Sequence, residues 1–159
     1  MEFAYTTEQE ALRQEVQQFI ADNVDGPVRE EIANTDEMSQ GPLVRDLRKK
    51  VAAKGWVGIS WPKEYGGQDG SRIDQYIVEE EFSRIGVGVG GAGSGAPAIL
   101  AAGTEEQKKT LLPGLISGEI TLALGFTEPQ AGADLASLQC RAVRDGDDFV
   151  INGQKMYTS

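Results

Sequence analysis

Near residue 118 the hydrophobic pattern of the chain changes period, from about 3.6 residues to two, and a chain that changes period there changes architecture there. Upstream, Leu12, Val16, Phe19, Ile20 and Val24 fall on one helical stripe before Gly26-Pro27 interrupts it. Two threonine-led signatures mark helix starts. In Thr7-Glu8-Gln9-Glu10 the Thr7 hydroxyl and the Glu10 carboxylate each satisfy an orphan amide; Thr104-Glu105-Glu106-Gln107 opens a short helix that Pro113-Gly114 ends. Another helix opens at Pro42, buries Leu43, Leu47 and Val51, carries Arg48, Lys49, Lys50 and Lys54 toward its negative end, and stops at Gly55. Residues 55–71, GWVGISWPKEYGGQDGS, are too irregular for helix or strand and read as an ordered loop with tryptophan anchors. Residues 72–85 return to helix, with Ile73, Tyr76, Ile77, Val78, Phe82 and Ile85 facing inward and Glu79-Glu80-Glu81 on a solvated face.

Downstream the texture is that of strands. ITLALGFT at 120–127 is apolar and strand-like, LQCRAVRD alternates, and Gly146-Asp147-Asp148 is a turn. FVINGQKMYTS then gives a strand, a tight Asn152-Gly153 turn and the start of a further strand. The expected fold is mainly α: an N-terminal helical bundle over residues 1–118, followed by the first strands of an incomplete antiparallel β domain over 119–159. So few strands leave unpaired edges and an apolar face, which reads as a fragment or as one piece of a split polypeptide.

Composition narrows the chemistry. The chain has no histidine, which removes the Ser/His/Asp and Cys/His nucleophile systems and the HExxH zinc motif, and no metal site is assigned. Its one cysteine, Cys140, cannot form an internal disulfide. A net charge of −10 with no basic stripe argues against a nucleic-acid partner. No apolar run approaches the ~20 residues of a membrane span, and the acidic start MEFAYTTEQE lacks the features of a leader, so a cytoplasmic location is expected. Chemistry must come from carboxylates, hydroxyls, backbone groups or a bound cofactor.

The stretch GVGVGGAGSGAP at 86–97 contains Gly-x-Gly-x-x-Gly twice, at Gly86, Gly88, Gly91 and at Gly88, Gly90, Gly93. A dinucleotide phosphate loop leaves a buried parallel strand and opens a helix. Here the preceding segment is charged and helical, with no βαβ unit around it, so that reading is set aside.

The residues GFTEPQAGADLASL at 125–138 and GDDFVINGQKMYTS at 146–159, supported by GWVGISWPKEYGG and GTEEQKKTLLPGLISGE, together resemble an acyl-CoA dehydrogenase over essentially the whole chain. The resemblance implies an FAD enzyme that dehydrogenates an acyl-CoA thioester, a carboxylate taking the α-proton while the β-hydrogen leaves as hydride, as in fatty-acid catabolism. It implies FAD held between the β domain and a C-terminal helical domain, transfer of electrons to an electron-transfer flavoprotein, and a homo- or hetero-oligomer such as a tetramer. By the same resemblance Phe126 and Thr127 offer backbone and hydroxyl groups to the flavin's pyrimidine edge. Gly132 and Ala133 let the backbone approach the cofactor's phosphate or the thioester ligand, Ala133 standing where the family has a serine near the substrate. Tyr157-Thr158-Ser159 stands where the family usually reads Trp-Ile-Thr, so Tyr157 would supply the ring against the flavin and Ser159 the hydroxyl at N5.

Taken without the resemblance, Thr127 reads as a β-former at a strand end and Gly132 as a turn glycine, while Glu128 and Asp134 read as structural carboxylates capping local amides. The resemblance puts the catalytic glutamate in the C-terminal helical domain, beyond Ser159. No catalytic residue is therefore assigned, and this chain alone is expected to be inactive and to hold FAD weakly or not at all. Residues 86–97 fall where the family has the helix lining the far end of the acyl pocket. Their glycines read either as a pocket opened for a bulky, branched or ring-containing acyl group or as a flexible surface connection. Two alternatives stand beside the dehydrogenase: a non-catalytic structural subunit of a heteromeric dehydrogenase, and an oxidase-like flavoprotein of the same fold.

Overall fold

The computed structural model describes residues 4–35, 41–90 and 95–158. Its backbone packs as two units, Met1–Thr121 and Leu122–Ser159. The described helices are α1 (Thr7–Asn23), α2 (Gly26–Asn34), α3 (Pro42–Ala53), α4 (Arg72–Ser83), α5 (Gly95–Ala102) and α6 (Glu105–Ser117), and the strands are β1 (Arg141–Asp145) and β2 (Asp148–Asn152). The mainly helical fold with the opening of an antiparallel sheet is the one the change of period predicts.

In the first unit, α1 is capped one residue earlier than expected. Thr6 Oγ1 accepts from the Gln9 N–H at 3.2 Å and Gln9 Oε1 accepts from the Thr6 N–H at 3.0 Å, so Thr7 lies inside the helix. Gly26-Pro27 ends one helix and also begins the next, because Asp25 caps α2 by accepting from the Val28 N–H at 3.1 Å and Pro27 suits the first turn. The N-terminus of α3 is capped from outside, the Glu31 carboxylate of α2 accepting from the N–H groups of Leu43 and Val44 at 3.2 and 2.7 Å. This docking turns Val44 inward with Leu47 and Val51, whereas the expected Leu43 stays 39% exposed.

Helix α4 also departs from expectation on two faces. Ile77, Val78 and Phe82 are buried as predicted, but Ile73 and Tyr76 are exposed. Glu81 is not on a solvated face. It follows Ile77 by four residues and so shares its buried stripe, where Arg13 Nε donates to it at 2.8 Å and Gln17 Nε2 at 3.1 Å. Burial alone would raise the Glu81 pKa; the Arg13 and Gln17 hydrogen bonds and the nearby Arg84 charge outweigh it and hold it below its usual value.

The loop after α3 is ordered, as its composition predicts, with Trp56, Trp61 and Tyr65 buried and the Phe19 and Trp56 rings edge to face at 5.2 Å. Helix α6 keeps the expected Thr104–Gln107 box but runs through Pro113 to Ser117, ending at Gly118 in the left-handed region with φ 77°. The lost proline N–H is offset by burying Leu112 and Leu115 on either side of it. Val16, Ile20, Val44, Leu47, Val51, Trp56, Val78 and Phe82 form the centre of this unit's core. Val87 and Val89 are buried beside them, while Gly91 and Gly93 of the glycine-rich stretch lie outside the described residues. No described helix is long and apolar enough to cross a membrane.

The second unit holds one hairpin. β1 and β2 pair antiparallel with Val143 opposite Val150 and Ala142 opposite Ile151, and the chain reverses at Gly146-Asp147. Residues 120–127 form no strand, because no partner among the described residues offers them a ladder, and Asn152-Gly153 closes no second hairpin. Gly153 instead lies against Cys140, where a Cβ would meet the Cys140 Cα, Cβ and Sγ at 2.6 Å.

Candidate functional site

In place of a strand, residues 125–128 lie alongside residues 155–158. The Met156 N–H donates to the Thr127 carbonyl at 2.8 Å, and a Cβ placed on Gly125 would lie 3.7 Å from both Lys155 Cγ and Thr158 Oγ1. After Thr127 the chain reverses tightly, Glu128 and Ala131 exchanging backbone hydrogen bonds at 2.8 and 3.1 Å. The reversal carries Gly132 and Ala133 to the surface, where a Cβ on Gly132 would meet nothing within 4 Å.

Glu128 organises this region. Its side chain is 2% exposed and receives four donors: the Gln139 N–H at 2.7 Å, the Cys140 N–H at 2.9 Å, Gln130 Nε2 at 2.7 Å and Lys155 Nζ at 2.9 Å. The Gln139 N–H and then Lys155 are the strongest influences, and with the other donors they outweigh burial and bring its pKa down to about 2. Glu128 is thus an ionised structural carboxylate capping local amides, as expected. Asp134 does not act this way: its carbonyl, not its carboxylate, accepts from Ser137 Oγ at 2.9 Å.

Of the residues assigned to a site from the sequence, the structure brings Phe126 and Thr127 beside the segment that carries Tyr157. Phe126 is 56% and Tyr157 80% exposed, and Tyr157 adopts φ 52°, a left-handed conformation uncommon for an aromatic residue. Among the described residues, the N–H groups of Phe126 and Thr127 and the Thr127 hydroxyl have no hydrogen-bond acceptor or donor partner. Gly132 and Ala133 follow the reversal as exposed residues, and Ser159 lies outside the described residues. Lys155 was not legible as a site residue. Its only signal is its place in the second of the two segments that carry the family resemblance, and its partners stand 27 and 29 residues away.

The donor set suits a planar heterocycle. Two free N–H groups and a hydroxyl can meet a ring edge rich in acceptors, and exposed aromatic rings can meet its face. An FAD isoalloxazine fits that description, and the open space at Gly132 leaves room for a phosphate or a thioester to approach the backbone.

Comparison with known proteins supports the same direction. The family model "Acyl-CoA dehydrogenase, N-terminal domain" matches residues 6–119. Acyl-CoA dehydrogenase FadE26 of Mycobacterium tuberculosis is 42% identical over 162 aligned residues, covering 100% of this chain and 40% of that protein. Among solved structures, the Tcur3481-Tcur3483 steroid ACAD is 41% identical with a TM-score of 0.81, covering 100% of this chain and 41% of that one. The ChsE4-ChsE5 complex from Mycobacterium tuberculosis is 40% identical with a TM-score of 0.83, covering 100% and 40%. An acyl-CoA dehydrogenase complexed with FAD from Bacillus anthracis is 29% identical with a TM-score of 0.75, covering 97% and 27%. The chain therefore spans about 40% of the length of curated relatives such as FadE26.

Proposed function

This chain belongs to the acyl-CoA dehydrogenase family, and from that premise we propose that it supplies the helical domain and the opening of the β domain of an FAD-dependent enzyme that dehydrogenates an acyl-CoA thioester between its α and β carbons. The observation that carries the reading is the unpartnered donor edge at Phe126 and Thr127, in a chain whose helical domain matches the family over residues 6–119. Bound FAD would supply the hydride acceptor for the reaction. This chain's residues hold and orient: the Phe126 and Thr127 N–H groups and the Thr127 hydroxyl meet the polar edge, and Tyr157 gives a ring to pack against the flat system. Ser159 supplies a further hydroxyl, and Gly132 and Ala133 keep the backbone open to phosphate or thioester. The carboxylate that takes the α-proton is assigned outside residues 1–159, so this chain alone is inactive and retains FAD weakly or not at all.

Two further features support a narrower substrate and assembly. The glycine-rich stretch at 86–97 suits an acyl pocket widened for a ring-containing group, and the kinship with a steroid ACAD points the same way. The kinship with a two-component complex supports a heteromeric assembly that passes its electrons to an electron-transfer flavoprotein. The departure of Tyr157-Thr158-Ser159 from the usual motif favours a second reading, in which this subunit keeps the fold and its partner holds the working flavin.

The test is to purify the full-length polypeptide, alone and co-expressed with a second subunit of the same fold, and to add straight-chain and polycyclic acyl-CoA thioesters anaerobically. Bleaching of the flavin band by the polycyclic thioesters is the expected result. Bleaching by straight-chain thioesters only overturns the substrate class, and flavin bound solely by the partner establishes the second reading. Reoxidation by oxygen as fast as by the protein acceptor identifies an oxidase. No flavin in any preparation overturns the proposal.

A further inference from the structure

Two stretches of chain that lie side by side as strands are ordinarily held by a ladder of backbone hydrogen bonds. Between 125–128 and 155–158 the described residues show one, from the Met156 N–H to the Thr127 carbonyl. A side chain provides the rest. Lys155 Nζ reaches across to donate to the Phe126 carbonyl at 3.1 Å and to Glu128 Oε1 at 2.9 Å. Glu128 is in turn fixed by the Gln139 and Cys140 amides, at the entrance to β1. One ion pair, its carboxylate buried and its lysine 31% exposed, thus ties together three stretches of chain.

The geometry of the peptide unit gives that tie a directional effect. In a trans peptide the carbonyl of one residue and the N–H of the next point in opposite directions, and the structure contains no cis bond. By holding the Phe126 carbonyl, Lys155 turns the Thr127 N–H to the opposite side, where no described residue takes it. The availability of that donor therefore follows from the position of a lysine 28 residues later in the chain.

We propose that Lys155 and Glu128 are positioning residues, a half-buried lock that sets the register of the 125–128 and 155–158 segments and aims the Thr127 N–H outward for the flavin edge. The lock deepens the proposed function and rests on it for the identity of the ligand, but not for its effect on the backbone. The charged and polar groups facing the pair are Gln130 and the Gln139 and Cys140 amides, all of which donate to Glu128. Removing Lys155 would leave Glu128 with neutral donors only and the Phe126 peptide free to rotate.

The experiment uses the full-length polypeptide in its flavin-loaded and flavin-stripped forms, unaltered and as Lys155→Met. Two quantities are read: hydrogen exchange at the Met156 amide without flavin, and the FAD dissociation constant from fluorescence quenching together with the flavin's visible spectrum. In Lys155→Met, Met156 exchange is expected to quicken about tenfold, FAD to bind about tenfold more weakly and the flavin band to shift, with circular dichroism unchanged. Lys155→Arg should restore most of both. If Lys155→Met does not fold, Glu128→Gln, which keeps the packing and an amide acceptor, is read in the same way. Unchanged Met156 exchange, or unchanged FAD affinity and spectrum, in a folded variant overturns the lock. An unaltered protein that takes up no FAD overturns the proposed function instead, and the Met156 comparison still decides whether the lock exists.

Discussion

Gly67 lies so near Trp61 that a Cβ on it would overlap the carbonyl carbon and oxygen of that residue. The obstacle is backbone and cannot rotate away, so Gly67→Ala must displace the turn that seats Trp61 in the interior. A loss of about 3 kcal/mol is expected in urea unfolding monitored by tryptophan fluorescence. The first helix cap offers a sharper comparison between neighbours. Thr6→Ala should cost about 1 kcal/mol and Thr7→Ala almost nothing, because only Thr6 accepts from Gln9. From sequence the two threonines compete evenly, since Gln9 and Glu10 complete a box for each. In the structure Thr6 takes the cap, directly after Tyr5, whose hydroxyl donates to Glu80 on α4 at 3.4 Å.

Pairing of α1 with α4 makes the acid response of the helical unit predictable. The Glu81 pKa is lowered from a usual 4.5, so the carboxylate contributes stability that is complete above that value and is lost as pH falls through its lower folded value. The thermal midpoint of the unaltered protein should therefore fall more steeply than that of Glu81→Gln below about pH 4.5. At neutral pH the same substitution should cost about 2 kcal/mol, since Arg13 and Gln17 both lose a charged acceptor. Helices with a clear apolar stripe, such as α1, α3 and α4, were legible because their own periodicity specifies them. Which residues at the stripe's edge are covered was not, because Val44 and Glu81 are turned inward by Glu31 and Arg13 on other helices. Helix α2 was hidden behind Gly26-Pro27, a pair that serves equally as a stop and, after Asp25, as a start. In the candidate site the segment at Phe126 and Thr127 was legible from its motif, but Lys155 acts only through contacts that folding creates.

The two units differ in how far they close their own apolar surface. Every residue of the helical core lies between Leu12 and Ile116, whereas Val143 and Val150 on one face of the hairpin, and Phe149 and Ile151 on the other, are exposed. Two strands without a covered face are marginal, so amide exchange in β1 and β2 should be at least about a hundredfold faster than at Phe82 or Val51, measured by mass spectrometry on this polypeptide. Equal protection in both units would contradict that division of stability.

A ribosome adds residues at about 5–20 per second, and the helical unit's core is finished by Ile116. Once that residue clears the exit tunnel, the unit can fold behind the advancing chain. The hairpin, made next, emerges with exposed apolar groups on both of its faces. That interval of synthesis is when a chaperone has most to hold, and what it would hold is Phe149 and Ile151.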